Sequence, residues 1–169
     1  TTYTLGGVID GWLVEFIYDA EDDSTCLAWR DPDGNIASGK TVEINKVFYE
    51  AMPANDAMTR KAIFFPSKLG ESKSTGELVK YNEAFIRKTY LLINDLDIKI
   101  MSYYILLTWL YECFNAIPYL RAMGEAGAGK SELLRRIGLV CYRTITANGC
   151  NTLSTFFRTV DIYHGTVFI

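Results

Sequence analysis

The chain has 169 residues, 49% hydrophobic and 22% charged, a composition that excludes a disordered chain and suits one or two small folded domains. Its net charge of −3 is unevenly spread: residues 1–66 carry 5 basic and 11 acidic side chains, residues 67–117 carry 6 of each, and residues 118–169 carry 6 basic and 3 acidic. One histidine, His164, argues against a His-rich metal centre or a Ser/His/Asp triad, and no stretch reads as a secretory signal.

The first third reads as strands. Trp12-Leu13-Val14-Glu15-Phe16-Ile17-Tyr18 is rich in aromatic and branched residues and runs into the acidic turn Ala20 to Ser24. Thr25 to Arg30 predicts a second strand. Asp31-Pro32-Asp33-Gly34 predicts a turn, because Pro presets φ and Gly accepts a positive φ. Thr41 to Ile44 and Lys61 to Phe65 complete a small antiparallel β module over residues 1–66. Asp22, Asp23, Asp31 and Asp33 fit no EF-hand spacing and read as solvated turn acids. The acidic balance opposes binding to a polyanion, so the module reads as a scaffold or partner-binding unit and not as a nucleic-acid interface.

Residues 67–117 read as a linker and a helical lead-in. Ser67 to Gly76 is rich in Ser, Gly and Lys, and Ser74-Thr75-Gly76-Glu77 has the spacing of a capping box. Leu78, Tyr81, Phe85, Thr89 and Leu92 mark one face of the helix that follows. Asp95 is a candidate N-cap for a second helix, about Leu96 to Asn115, which is apolar on most sides and is therefore expected to be buried all round. Its longest uncharged run, Ile100 to Tyr111, is shorter than the ~20 residues a membrane helix needs. Tyr103, Tyr104, Trp109 and Tyr111 read as core aromatics in preference to a base-stacking set. Cys26, Cys113, Cys141 and Cys150 have mostly apolar neighbours and no Cys-x-x-Cys spacing, which suggests buried, reduced thiols in a cytoplasmic protein.

The most specific signal is Gly124-Glu125-Ala126-Gly127-Ala128-Gly129-Lys130-Ser131, which fits Gly-x-x-x-x-Gly-Lys-Ser/Thr, the Walker A phosphate loop. Residues of these types at these offsets should arise by chance in under ~1% of chains this long. Pro118 to Met123 reads as the strand entering the loop, and Leu133, Ile137 and Val140 recur at helical spacing after it. Gly124 and Gly129 permit a backbone turn in which N–H groups converge as an anion nest, Gly127 adds room, and the nest opens onto a helix N-terminus. Lys130 is then the catalytic cation for the β- and γ-phosphates of ATP, and Ser131 the ligand for Mg²⁺. Glu132 lies in the first helical turn, where the helix dipole favours an acid, and is counted with Gly124 to Ser131 among the nucleotide-binding residues. Arg135 and Arg136 fall off the apolar stripe and read as a solvated face.

Farther on, Arg143 to Ala147 reads as a second strand and Asn148-Gly149 as a turn. Asn151 or Thr152 caps a helix bearing Leu153, Phe156, Phe157 and Val160, and Gly165 to Ile169 reads as a third strand. Strand–helix alternation over residues 118–169 predicts an α/β fold, the N-terminal part of a P-loop NTPase parallel sheet.

On these residues the region resembles the P-loop NTPases of the AAA+-like type. From Tyr103-Tyr104-Ile105-Leu106-Leu107-Thr108-Trp109-Leu110 to Ile169 it is similar to the ATPase cores of phage and mobile-element primase–helicases. The resemblance implies ATP binding by Gly124 to Ser131, action on DNA in replication, and assembly of copies into a ring. It also implies a Walker B Asp-Glu pair after the Gly165-Thr166-Val167-Phe168-Ile169 strand, so that residues 1–169 are expected to be a fragment that binds ATP without turning it over. The same loop occurs in nucleotide and small-molecule kinases, and in binding modules that ATP merely stabilises in one conformation.

Overall fold

The computed structural model describes residues 1–89, 94–146 and 153–168. They divide into two compact units, Thr1–Glu71 and Ser72–Ile169. The fold is mixed α/β.

The first unit holds seven strands: β1 (Thr2–Thr4), β2 (Gly6–Ile9), β3 (Trp12–Asp19), β4 (Ser24–Arg30), β5 (Ile36–Gly39), β6 (Thr41–Ile44) and β7 (Val47–Ala51). A four-stranded antiparallel sheet runs β2-β3-β4-β5, and a three-stranded sheet runs β1-β7-β6. The module is thus not wholly antiparallel, because β1 and β7 pair in parallel. Single residues, Leu5 and Lys40, separate β1 from β2 and β5 from β6, so the chain moves between sheets without a loop. Phe16, Leu27 and Ile44 are fully buried, and Val42 and Ile44 alternate with exposed Thr41 and Glu43, as a half-buried strand requires.

Two tight hairpins have local chemistry that explains them. Asp10-Gly11 and Asn45-Lys46 have positive φ at both central residues, the backbone twist that suits two-residue hairpins. Asp22, Asp23 and Asp33 are exposed, as solvated turn acids should be, and two of the four acids also brace their turns: Asp23 accepts from the Tyr18 hydroxyl at 2.8 Å, and Asp31 accepts from the Asn35 backbone and side-chain amides, both at 2.8 Å. Those bonds from Asn35 hold the Asp31 carboxyl below its ordinary range. Lys61 to Phe65 is not a strand. It follows a short helix, α1 (Asp56–Thr59), and takes part in one isolated bridge at Ile63, with Phe65 edge-on to Phe16 at 4.8 Å.

The second unit is mainly helical: α2 (Thr75–Thr89), α3 (Asp95–Trp109), α4 (Lys130–Gly138) and α5 (Leu153–Tyr163). Ser74 and Glu77 form the reciprocal capping box, Ser74 N to Glu77 Oε2 at 2.9 Å and Glu77 N to Ser74 Oγ at 3.3 Å. The N-cap of α3 is Asn94, whose side chain accepts from Asp97 N at 2.9 Å. Asp95 is the first helical residue instead and pairs with Arg87. Leu92 of the expected α2 face, the expected turn at Asn148-Gly149, the caps at Asn151 or Thr152, Cys150 and Ile169 lie outside the described residues.

Ile86, Ile98, Met101, Ile105, Ile137 and Cys141 form the core of this unit. Only one stripe of α3 is buried. Leu96 is 67% exposed, Tyr103 60% and Trp109 42%, so the expectation of an all-round buried helix is corrected. Helix neighbours cover one face each, and the described elements supply too few of them to enclose α3. Trp109 nonetheless donates through Nε1 to the Val140 carbonyl at 3.0 Å and meets Tyr142 edge-on at 5.2 Å.

The expected parallel P-loop sheet is overturned. Pro118 to Met123 forms no strand, and parallel pairing among the described residues of this unit is confined to β8 (Ile145–Thr146) with β9 (Val167–Phe168). In the first segment Tyr119, Arg121 and Met123 are exposed while Leu120 and Ala122 are half-buried. That alternation is what a strand shows in sequence, but without a neighbouring ladder the backbone has no sheet to join.

The cysteines differ sharply in environment. Cys113 is exposed, Cys26 is half-buried, and Cys141 is buried with its thiol pushed up to about 12 by loss of solvent, against a hydrogen bond from Thr108 that acts the other way. At pH 8 an alkylating reagent is expected to modify Cys113 within minutes and to spare Cys141 until the second unit unfolds, because only the thiolate reacts. Peptide mapping by mass spectrometry reads the outcome. Prompt modification of Cys141 would mean that the α3–α4 core opens easily.

Candidate functional site

The candidate loop lies between an irregular segment and α4. Gly127 and Gly129 have φ of 80° and 78°, both left-handed, where a Cβ would be strained. Gly129 is the N-cap of α4 and makes no side-chain cap bond, so the first N–H groups of the helix have no capping side chain. A helix start of this kind carries partial positive charge and suits an anion.

Lys130 is the first residue of α4, and its ammonium folds back over the loop. Nζ donates to the carbonyls of Gly124 at 2.8 Å and Glu125 at 2.6 Å. An ammonium has three protons, so one remains for a ligand. The Glu125 carbonyl also accepts from Ala128 N at 3.2 Å, which closes the turn that contains Ala126 and Gly127. Ser131 is exposed, and its hydroxyl has no partner among the described residues. Gly124 to Ser131 are thereby brought into one turn and helix start.

Glu132 is engaged differently. Its carboxylate accepts from Arg136 Nε at 2.5 Å and from Arg135 Nε and NH2 at 3.0 and 2.9 Å. Those guanidinium bonds hold it below the ordinary carboxyl range, Arg136 contributing most. An acid so paired is a poor proton acceptor at neutral pH. Arg135 and Arg136 lie on the helix surface, as expected, and both pair with Glu132 there.

Beside the loop is a cavity of about 480 Å³ whose lining includes Ala128 and Lys130. Asp97 of α3 and Arg121 line it as well. Neither stood out in the sequence, because residues 97, 121 and 130 meet only through the packing of α3, α4 and the segment between them. The residue types fit a phosphate chain and its divalent cation: left-handed glycines, an uncapped helix start, one ammonium and one free hydroxyl.

No protein family model, curated protein or solved structure matches the chain. Among the described residues, no helix is long and apolar enough to cross a membrane.

Proposed function

We propose that Gly124 to Ser131 binds the phosphates of ATP with Mg²⁺, and that the protein works as a cytoplasmic ATPase of the helicase or translocase kind, acting on DNA in the replication of a mobile element. The observation that carries the binding step is the folded loop itself, with Gly127 and Gly129 left-handed and Lys130 held across the loop carbonyls. Bound Mg²⁺ would supply charge neutralisation on the phosphate oxygens. Lys130 would move from carbonyl to phosphate contacts, the backbone N–H groups would orient the chain of phosphates, and the Ser131 hydroxyl would take a place at the cation. Glu132, clamped by two arginines, is not the base. The helicase assignment and ring assembly rest on the resemblance of the motif region, together with the excess of basic side chains in residues 118–169.

Titration calorimetry with ATP and with inorganic tripolyphosphate, each with and without Mg²⁺, tests the loop. Both are expected to bind, and more tightly with Mg²⁺. Lack of binding by both would end the nucleotide reading, whereas an affinity for Mg·ATP that single-stranded DNA leaves unchanged would count against the helicase part alone.

A further inference from the structure

The cavity beside the loop is chemically two-sided. Ile100 and Met101 of α3, Leu120 and Ala122 of the connecting segment, and Leu133 and Ile137 of α4 give it apolar walls. Its volume, about 480 Å³, is that of a small-molecule site. Two cations, Arg121 and Lys130, line it together with one acid, Asp97. A ligand whose phosphates rest on the loop would therefore have an apolar space within reach through Lys130, which belongs to both.

Asp97 is fixed in a way that leaves one acceptor open. Asn94 Nδ2 donates to its Oδ2 at 2.7 Å, and Asn94 Oδ1 accepts from its backbone N–H at 2.9 Å. Its Oδ1 has no partner among the described residues. A carboxylate only accepts, so a ligand group beside it must bring a donor, and phosphate oxygens would be repelled. The phosphates thus belong with Lys130, and a flat, mostly apolar group with an N–H donor belongs with Asp97.

We propose that this cavity receives the nucleobase of the bound nucleoside triphosphate and that Asp97 Oδ1 accepts a hydrogen bond from the exocyclic amino group of adenine. The inference rests on the reading of Gly124 to Ser131 as the phosphate site. It makes Asp97 a specificity-determining residue with no part in the chemical step.

The test compares ATP, purine riboside triphosphate (ATP without its 6-amino group) and inorganic tripolyphosphate, all with Mg²⁺, on the full chain. In the native protein ATP is expected to bind roughly five- to tenfold tighter than purine riboside triphosphate, the loss of one charge-assisted hydrogen bond at an open site. Asp97→Ala should bring that ratio to about one without weakening the binding of tripolyphosphate. Ala122→Trp, which fills the cavity from the irregular segment, should bring the affinity for ATP down to that for tripolyphosphate. Circular dichroism and melting confirm that each variant is folded. Equal affinities for the two nucleotides in the native protein, or a ratio that Asp97→Ala does not change, would overturn the assignment of Asp97. An ATP affinity that survives Ala122→Trp would place the base elsewhere. If tripolyphosphate binds in a Lys130-dependent way while the base makes no difference, this inference alone fails; if no triphosphate binds, the phosphate reading fails and takes it down as well.

Discussion

Replacing Lys130 with alanine is expected to weaken Mg·ATP binding by roughly 10- to 150-fold, equivalent to the ~1.5–3 kcal/mol of one charge-assisted hydrogen bond. The effect should be large because Lys130 is the one ammonium in the loop, and Arg135 and Arg136 are committed to Glu132. It should also be specific. Lys130 is only partly buried, and its side-chain hydrogen bonds run to the carbonyls of Gly124 and Glu125, so its loss removes loop contacts and leaves the Ile86–Ile98–Ile137 core untouched. Melting temperature is therefore expected to change little while affinity falls. An affinity for ATP within threefold of the native value would show that Lys130 stays on its carbonyls and never reaches the ligand. Equal losses of affinity and stability would mean that the loop had collapsed, and Lys130→Arg, which keeps the charge, would then separate the two effects.

Gly165→Ala is expected to destabilise the second unit by about 3 kcal/mol, the upper range for forcing extra volume into a packed site. A Cβ at this position would lie 1.9 Å from the carbonyl oxygen of Arg143 and 2.9 Å from its Cβ. Backbone cannot swing aside as a flexible side chain can. Thr166 N donates to the Tyr142 carbonyl at 3.0 Å and Ile145 N to the Thr166 carbonyl at 2.8 Å, so the approach that the methyl blocks is the one that sets the β8–β9 pair. Arg143, buried beneath it, donates to the Tyr163 carbonyl at 3.3 Å and lies over the Tyr142 ring at 4.7 Å. Gly76→Ala is the control: nothing lies within 4 Å of a Cβ there, and alanine favours the helix, so stability should stay level or rise. Chemical denaturation of both variants decides the matter. A Gly165→Ala protein as stable as the native chain would mean that β9 shifts away from Arg143 at little cost.

The same two positions show what a linear reading reaches. Gly127, Gly129, Lys130 and Ser131 were legible because a phosphate loop is local: left-handed glycines and a lysine at fixed offsets act within one turn and one helix start. Gly165 carried no such mark. Its neighbour Arg143 is remote in sequence, so its constraint exists only once β8 and β9 lie side by side. Asp10-Gly11 is a dipeptide that favours a two-residue hairpin, and both of its residues are left-handed in the structure.

Local chemistry, then, determined the strands around Trp12–Asp19 and Ser24–Arg30, the Ser74–Glu77 capping box, and the loop at Gly124–Ser131, since each depends on side-chain periodicity or on groups within a few residues. Tertiary structure decided the rest. It left Pro118–Met123 irregular and outside every sheet of the described residues, because alternation specifies a face but supplies no neighbouring strand. It exposed half of the apolar helix α3, because burial depends on how many elements pack against it. It brought Asp97, Arg121 and Lys130 around one cavity, a meeting that no spacing in the chain encodes.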